Sequence, residues 1–295
     1  MTGTMTTTMT TTTTRGLAAM TRRRAAGWVQ FAVLAVLALA WVYPLLWIFA
    51  ASLKDDASIF TDGLSLIPHQ WNWQNYVDAW QTAGFARYTL NSLIVTIGSV
   101  VVVILRCATA GYVIGRYRFR GRRVVLGVLL AASFIPTGLA IIPVVRLSTE
   151  LGILDSTLGL ILALSAGGNV AGVLLYTGFF AQIPDELEQA AHVDGAGFLR
   201  TFFSVMLPLS GPITATVAVV TFIGTWSNFF VPLVFTFSDP DRRTLAVGML
   251  AFQGTNSTDW TGLAAGATMS LVPVLLVFVL LQRYFVEGIA GAVKN

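Results

Sequence analysis

Six stretches of this chain carry no charged side chain at all: residues 25–53, 88–105, 124–145, 156–184, 201–238 and 260–282. Each is at least about as long as the 20 apolar residues that carry an α-helix across hydrocarbon. Runs such as Leu34–Ala40 and Leu271–Leu281 are apolar on every side. Strands of a membrane barrel would instead alternate apolar and polar over about 10 residues. The pattern predicts an all-α polytopic membrane protein with six spans near 28–51, 89–111, 124–145, 158–180, 212–235 and 263–283. Charged residues make up only 11% of the chain, against about 25% in ordinary soluble domains. That excludes a cytosolic enzyme, a disordered protein and a collagen-like fibre.

The basic residues set the expected topology. With the N-terminus inside, 13 of the 18 Lys and Arg fall on the inner side and 5 outside. Both termini are therefore expected in the cytoplasm of a plasma-membrane protein. The formal charge of +4 reads as a topology signal and as attraction to anionic headgroups, not as nucleic-acid binding. Ten of the first fourteen residues are Thr, so residues 1–26 read as a disordered tail. Residues 27–285 read as the membrane domain and 286–295 as a second cytoplasmic tail. Arg22–Arg24 precede a first run longer than a signal-peptide core, which predicts an uncleaved span. Cys107 stands alone, so neither a disulfide framework nor a zinc cluster is expected, and no metal site is assigned.

Three small-residue pairs, Gly111/Gly115, Gly168/Gly172 and Gly262/Gly266, have the spacing of close helix contacts. The outer loop from Lys54 to Arg87 contains Trp71, Trp73, Tyr76 and Trp80. This fits an interfacial aromatic belt, a docking surface for an external partner, or both. Arg106 is the one charge inside an expected span, roughly 15 Å along the helix from Arg116. It either snorkels or pairs with a carboxylate of another subunit, because no Asp or Glu falls in any expected span. Asn169, Trp226, Ser227 and Asn228 are the polar or aromatic candidates for a substrate pathway. Interhelical hydrogen bonding is the plainer reading of the same residues.

The segment 183–208 carries the densest information. Pro184, then Asp185 with Glu188 three residues on, predict a capped helix start. Ala190 and Ala191 continue it, and Gly195 beside Asp194 ends it. Phe198, Leu199, Phe202, Phe203 and Met206 then recur at helical spacing until Pro208. A short helix, a glycine turn and an amphipathic helix are expected at the inner surface, serving either as an interfacial anchor or as a lever seated in a cytosolic partner. From the residues alone, a secondary carrier and a subunit of an ATP-driven transporter both stay open. The missing intramembrane carboxylates count against the carrier. The loop positions of His69 and His192 count against an intramembrane hydrolase.

The segment resembles the EAA loop of the permease subunits of binding-protein-dependent ABC importers, whose pattern is Glu-Ala-Ala, three residues, Gly, nine residues, Ile-x-Leu-Pro. Here Gln189-Ala190-Ala191, Gly195 and Val205-Met206-Leu207-Pro208 occupy it. Gln189 replaces the Glu and Val205 the Ile, which places Glu188 as a carboxylate displaced by one position. Asn75-Tyr76, Asn91-Ser92, Tyr112 with Arg116, and the C-terminus from Gln282 to Asn295 resemble the carbohydrate branch. Its MalG-like tails end Gly-Ala-Val-Lys-Gly, where this chain has Gly291, Lys294 and a final Asn295. The resemblance implies the permease subunit of a sugar importer, with a second permease, two ATPase subunits and an external sugar-binding protein. Glu188, Gln189, Ala190, Ala191, Asp194, Gly195 and Pro208 would couple to the ATPase, and Gly291 and Lys294 would approach it. Neither Lys54 nor Lys294 sits in the Gly-x4-Gly-Lys-Ser/Thr of a phosphate-cradling loop. ATP and Mg would therefore be bound by the partners, with no cofactor on this chain and no catalytic residue in it.

Overall fold

A computed structural model describes residues 11–82, 84–134, 137–167, 169–254 and 257–292. Among these the chain is helical, with a single isolated bridge between Gln253 and Thr258 and no strand. Helix α1 (Thr11–Ala51) leads to two short helices, α2 (Asp56–Thr61) and α3 (Gln74–Thr82). The 32-residue α4 (Phe85–Arg116) follows, then α5 (Arg122–Ala132) and α6 (Ile141–Glu150). Helices α7 (Thr157–Ala166) and α8 (Val170–Phe180) precede the short α9 (Asp185–Val193). The remainder is α10 (Phe198–Leu209), α11 (Gly211–Trp226), α12 (Phe230–Phe235), α13 (Leu245–Gly248) and α14 (Trp260–Ala292).

Three helices are long and apolar enough to span a membrane alone: Gly27–Ala51 within α1, Phe85–Arg116, and Trp260–Gln282 within α14. Two more candidates are bent pairs, α7 with α8 at 65° and α10 with α11 at 79°. The fourth expected span is therefore interrupted between Ala166 and Val170. The expected third span, 124–145, is not one helix. It divides into α5, a 3-10 turn at Thr137–Ala140 and α6. Helix α5 ends at Ala132 and the 3-10 turn begins at Thr137. The expected 212–235 span likewise stops at Trp226 and resumes at Phe230. Six uninterrupted spans are thus more than these helices provide.

Two termini also differ from expectation. Residues 11–26, read as tail, continue α1 as helix, and residues 286–292 continue α14. Leu17, Ala18, Ala19 and Met20 are good helix formers, and extending a formed helix needs no new nucleus. Residues 1–10, Gly168 and Lys294 lie outside the described residues.

Helix α4 is the axis of the bundle and packs on α8, α11 and α7. Its inward face is built from small or slim residues at three- and four-residue spacing: Ser92, Thr96, Ser99, Val103, Cys107, Gly111. Without a hydrophobic drive between helices in lipid, such faces hold by close packing. A Cβ at Gly111 would come within 2.4 Å of Tyr176 Cβ, and one at Gly115 within 2.8 Å of the Thr177 oxygen. This glycine pair therefore sets the α4–α8 distance. The outer apolar surface of α1, from Trp28 to Phe49, is exposed and is what acyl chains solvate.

Candidate functional site

The end of the bundle where α4 stops carries the most highly connected polar cluster. Arg116, in the last turn of α4, donates through Nε to Glu188 Oε2 at 2.8 Å and through Nη1 to the Ile183 oxygen at 2.7 Å. Its Nη2 lies 2.7 Å from Asp185 Oδ1. Glu188 Oε1 accepts from the Tyr112 hydroxyl at 2.6 Å and from that of Tyr117 at 3.0 Å. The Arg116 and Glu188 side chains are only 7% and 13% exposed. The Tyr112 ring is fully buried and packs 5.4–5.5 Å from Phe180, Phe198 and Phe202. One carboxylate on α9 is thus gripped by three side chains of the segment 112–117, inside an aromatic collar contributed by α8 and α10.

Burial alone would raise the Glu188 carboxyl, but bonds from Tyr112, Arg116 and Tyr117, with the Arg116 charge, hold it below the ordinary carboxylate range. It is ionised at neutral pH. This corrects one expectation. No capping box forms: the helix start is Pro184 with no side-chain cap. Asp185 and Glu188 turn to Arg116 instead, which offers a full positive charge and a planar donor fork where an N-cap offers a lone backbone N–H. Both oxygens of Glu188 are hydrogen-bonded within the chain.

The remaining coupling candidates divide by face. Ala191 is buried against the bundle, while Gln189, Ala190 and Asp194 are exposed. Leu187, Ala190, Asp194, Arg200, Ser204 and Val205 line an open groove between α9 and α10. Val193 and Leu199, beside it, are 87% and 66% exposed. Gly195 adopts φ +77°, the left-handed turn that glycine accepts without strain. The Ala196 N–H bonds the Ala191 oxygen at 2.9 Å and the Gly195 N–H bonds the His192 oxygen at 3.0 Å, a Schellman stop. Pro208 lies at the end of α10, just after a π-helical turn at Phe202–Met206. Gly291 falls in the last turn of α14.

The pathway candidates are not brought to one cavity. Trp226 is buried, stacks on Phe222 at 5.6 Å and donates Nε1–H to the Ser270 oxygen at 3.1 Å. Asn228 Oδ1 accepts from the Val231 N–H at 3.1 Å at the start of α12, and Ser227 is exposed between the two helices. Asn169 sits at the α7–α8 break, its oxygen 3.6 Å from Cys107 Sγ. Arg106 reaches that same break, donating to the Ala166 oxygen at 3.3 Å.

At the opposite end of α4 two further clamps occur. Asn91 Nδ2 donates to the Asp241 and Arg243 oxygens at 2.8 and 3.0 Å, and Ser92 Oγ accepts from the Leu245 N–H at 2.7 Å. Asn75 Nδ2 donates to the Ser52 and Lys54 oxygens at 2.9 and 2.7 Å. Lys54 itself is buried against Asp62 at 3.4 Å. Trp71, Trp73 and Tyr76 stack in series at 6.5 and 6.1 Å, with both Trp rings exposed. Sequence reading noted Asn75, Asn91, Ser92, Tyr112 and Arg116 only as points of resemblance. Their role as clamps is set by partners 21 to 153 residues away, which no local pattern reveals.

Comparison with known proteins gives a consistent result. The family model described as the binding-protein-dependent transport system inner membrane component matches residues 108–291. The chain is 36% identical to the diacetylchitobiose uptake system permease protein NgcG of Streptomyces coelicolor, over 95% of this chain and 91% of that one. It is 32% identical to the sn-glycerol-3-phosphate transport system permease protein UgpE of Yersinia pestis, over 86% and 92%. Among solved structures, a bacterial ABC transporter that imports the acidic polysaccharide alginate superposes with a TM-score of 0.76 at 25% identity, covering 89% of this chain and 97% of that one.

Proposed function

Since the chain belongs to the binding-protein-dependent transport system inner membrane components and is a multi-pass ABC importer permease working with ATPase and binding-protein partners, we propose that it is half of the translocation pathway for a sugar or sugar derivative. A second homologous permease supplies the other half, two ATPase subunits bind ATP and Mg, and an external protein delivers the solute. The relatives named above carry sugars or sugar-like solutes, which supports that substrate class over a non-sugar one. Both termini and α9 lie on the cytoplasmic side in this reading, in line with the 13 to 5 distribution of basic residues.

The observation that carries the mechanism is the grip of Tyr112, Arg116 and Tyr117 on Glu188. It ties α9 rigidly to α4 while leaving Gln189, Ala190 and the α9–α10 groove exposed. A force applied to that face by closing ATPases passes into a helix that runs the length of the bundle. The spans then shift between inward- and outward-open arrangements, a population change driven by differential binding. With its own carboxylate engaged inside the chain, the docking face presents the neutral Gln189 and the small Ala190. Gln189→Cys in the assembled complex should crosslink to a cysteine placed in the ATPase surface groove. Absence of any crosslink while uptake continues would remove this docking assignment.

A further inference from the structure

We propose that the Tyr176 hydroxyl, acting through Thr214 and Ser210, is a positioning group for transport. It fixes the elbow between α10 and α11, so that movement of α9 reaches the spans instead of being absorbed at the bend. The inference rests on the importer reading above and adds to it the residues that hold the joint.

Helices α10 and α11 meet at 79°. A π-helical turn occupies Phe202–Met206, and Pro208 and Pro212 follow it. Each proline removes one N–H from the helical ladder, and π-turns recur where helices have to move. Such a joint is compliant unless contacts outside its own backbone hold it. Its near end is anchored, since Phe202 packs 5.4 Å from Tyr112. Its far end is Ser210, which is fully buried.

Ser210 Oγ donates to the Leu207 oxygen at 2.7 Å. A hydroxyl has one proton, so the 3.2 Å contact between Ser210 Oγ and Thr214 Oγ1 is donated by Thr214. Thr214 Oγ1 in turn accepts from the Tyr176 hydroxyl at 2.8 Å. The bonds therefore run one way, from Tyr176 on α8 through Thr214 on α11 to the end of α10, and bonds so chained strengthen one another. Tyr176 is fully buried, and its backbone is held by the close approach of Gly111. Its ring stacks on Phe180 at 5.7 Å, and Phe180 packs 5.5 Å from Tyr112, whose hydroxyl holds Glu188. Helix α9 is thus joined to α11 by two routes, along the chain through the elbow and across the bundle through buried rings. The Tyr176 hydroxyl closes the loop. With it the elbow turns with the bundle; without it the two prolines and the π-turn give way.

The test uses the full complex in ATP-loaded proteoliposomes, offered a mixture of neutral, N-acetylated and acidic disaccharides. Accumulated solute is identified by mass spectrometry, and ATP hydrolysis is measured in parallel. Tyr176→Phe and Thr214→Val should insert, assemble and hydrolyse ATP. Their uptake per ATP should fall about 3- to 15-fold, the worth of one interhelical hydrogen bond in a membrane. Amide exchange at Ser210 and Thr214 should rise by a similar factor, and Thr214→Ser, which keeps the hydroxyl, should restore both. Wild-type uptake per ATP in Tyr176→Phe would overturn the inference. So would an equal fall in Thr214→Ser and Thr214→Val, which assigns the effect to methyl packing. Failed assembly of Tyr176→Phe, or uptake and hydrolysis falling together at a fixed ratio, would also overturn it, leaving the relay a role in stability alone. If the wild type accumulates nothing, the importer reading fails and the inference with it.

Discussion

Glu188→Gln is the sharpest perturbation of the α4–α9 junction. The carboxylate accepts from Tyr112, Tyr117 and Arg116, with both its side chain and that of Arg116 largely withdrawn from water. A glutamine keeps one acceptor oxygen, so one site is filled and the charge is lost. Arg116 retains Asp185 and the Ile183 oxygen, which limits the damage below that of an orphaned buried ion. Hydrogen bonds to charged groups contribute about 1.5–3 kcal/mol each, so the loss in docking of α9 should be about 2–3 kcal/mol, or roughly 30- to 150-fold. Hydrogen exchange of the 185–196 amides reads docking directly, and uptake per ATP hydrolysed reads its consequence. A cycle with Arg116→Gln should show strong coupling. Unchanged exchange and unchanged uptake in Glu188→Gln would refute the reasoning. The pH dependence has a definite sign. The folded-state carboxyl sits below its ordinary value of 4.5, so its contribution is fully present above that value. It is lost only as pH falls through the lower folded-state value.

Three further outcomes follow from single contacts. Gly195→Ala places a side chain at φ +77° and should cost about 1–2 kcal/mol, measured as loss of α9 protection. Gly111→Leu puts a branched side chain where even a Cβ lies 2.4 Å from Tyr176 Cβ; about 1–3 kcal/mol of strain should lower the melting temperature of the complex. Asn91→Ala removes both bonds to the Asp241 and Arg243 oxygens. Amide exchange in 241–245 should then rise about 5- to 30-fold, while that at 185–196 stays fixed.

The sequence made some of this architecture legible because the deciding physics is local. Charge-free runs mark helices that lipid can solvate, and each of the runs 25–53, 88–105 and 260–282 falls almost wholly within one long helix, α1, α4 or α14, that continues beyond it. The Gly195 stop was readable because a left-handed turn after Ala190-Ala191 needs glycine. The third span failed because mean hydropathy over 124–145 reports solvation by lipid and not the continuity of one helix, which here ends at Ala132 and resumes at Ile141. The capping box failed for a different reason. Asp185 and Glu188 had the right spacing, but a cationic donor fork was offered by Arg116, about 70 residues earlier in the chain. The candidate pathway residues show the same limit. Trp226 and Asn228 are polar groups inside apolar runs, and their hydrogen bonds go to Ser270 and Val231. Sequence alone could name them but not say which way they turn.

The central claim is that α9 passes the work of an ATPase into the bundle. Its most direct test is uptake and ATP hydrolysis measured together in the assembled complex carrying Ala190→Glu, which sets a charge on the exposed docking face without touching the Glu188 cluster. The account predicts normal insertion with uptake per ATP hydrolysed reduced at least about tenfold. Wild-type uptake per ATP from that variant would contradict it.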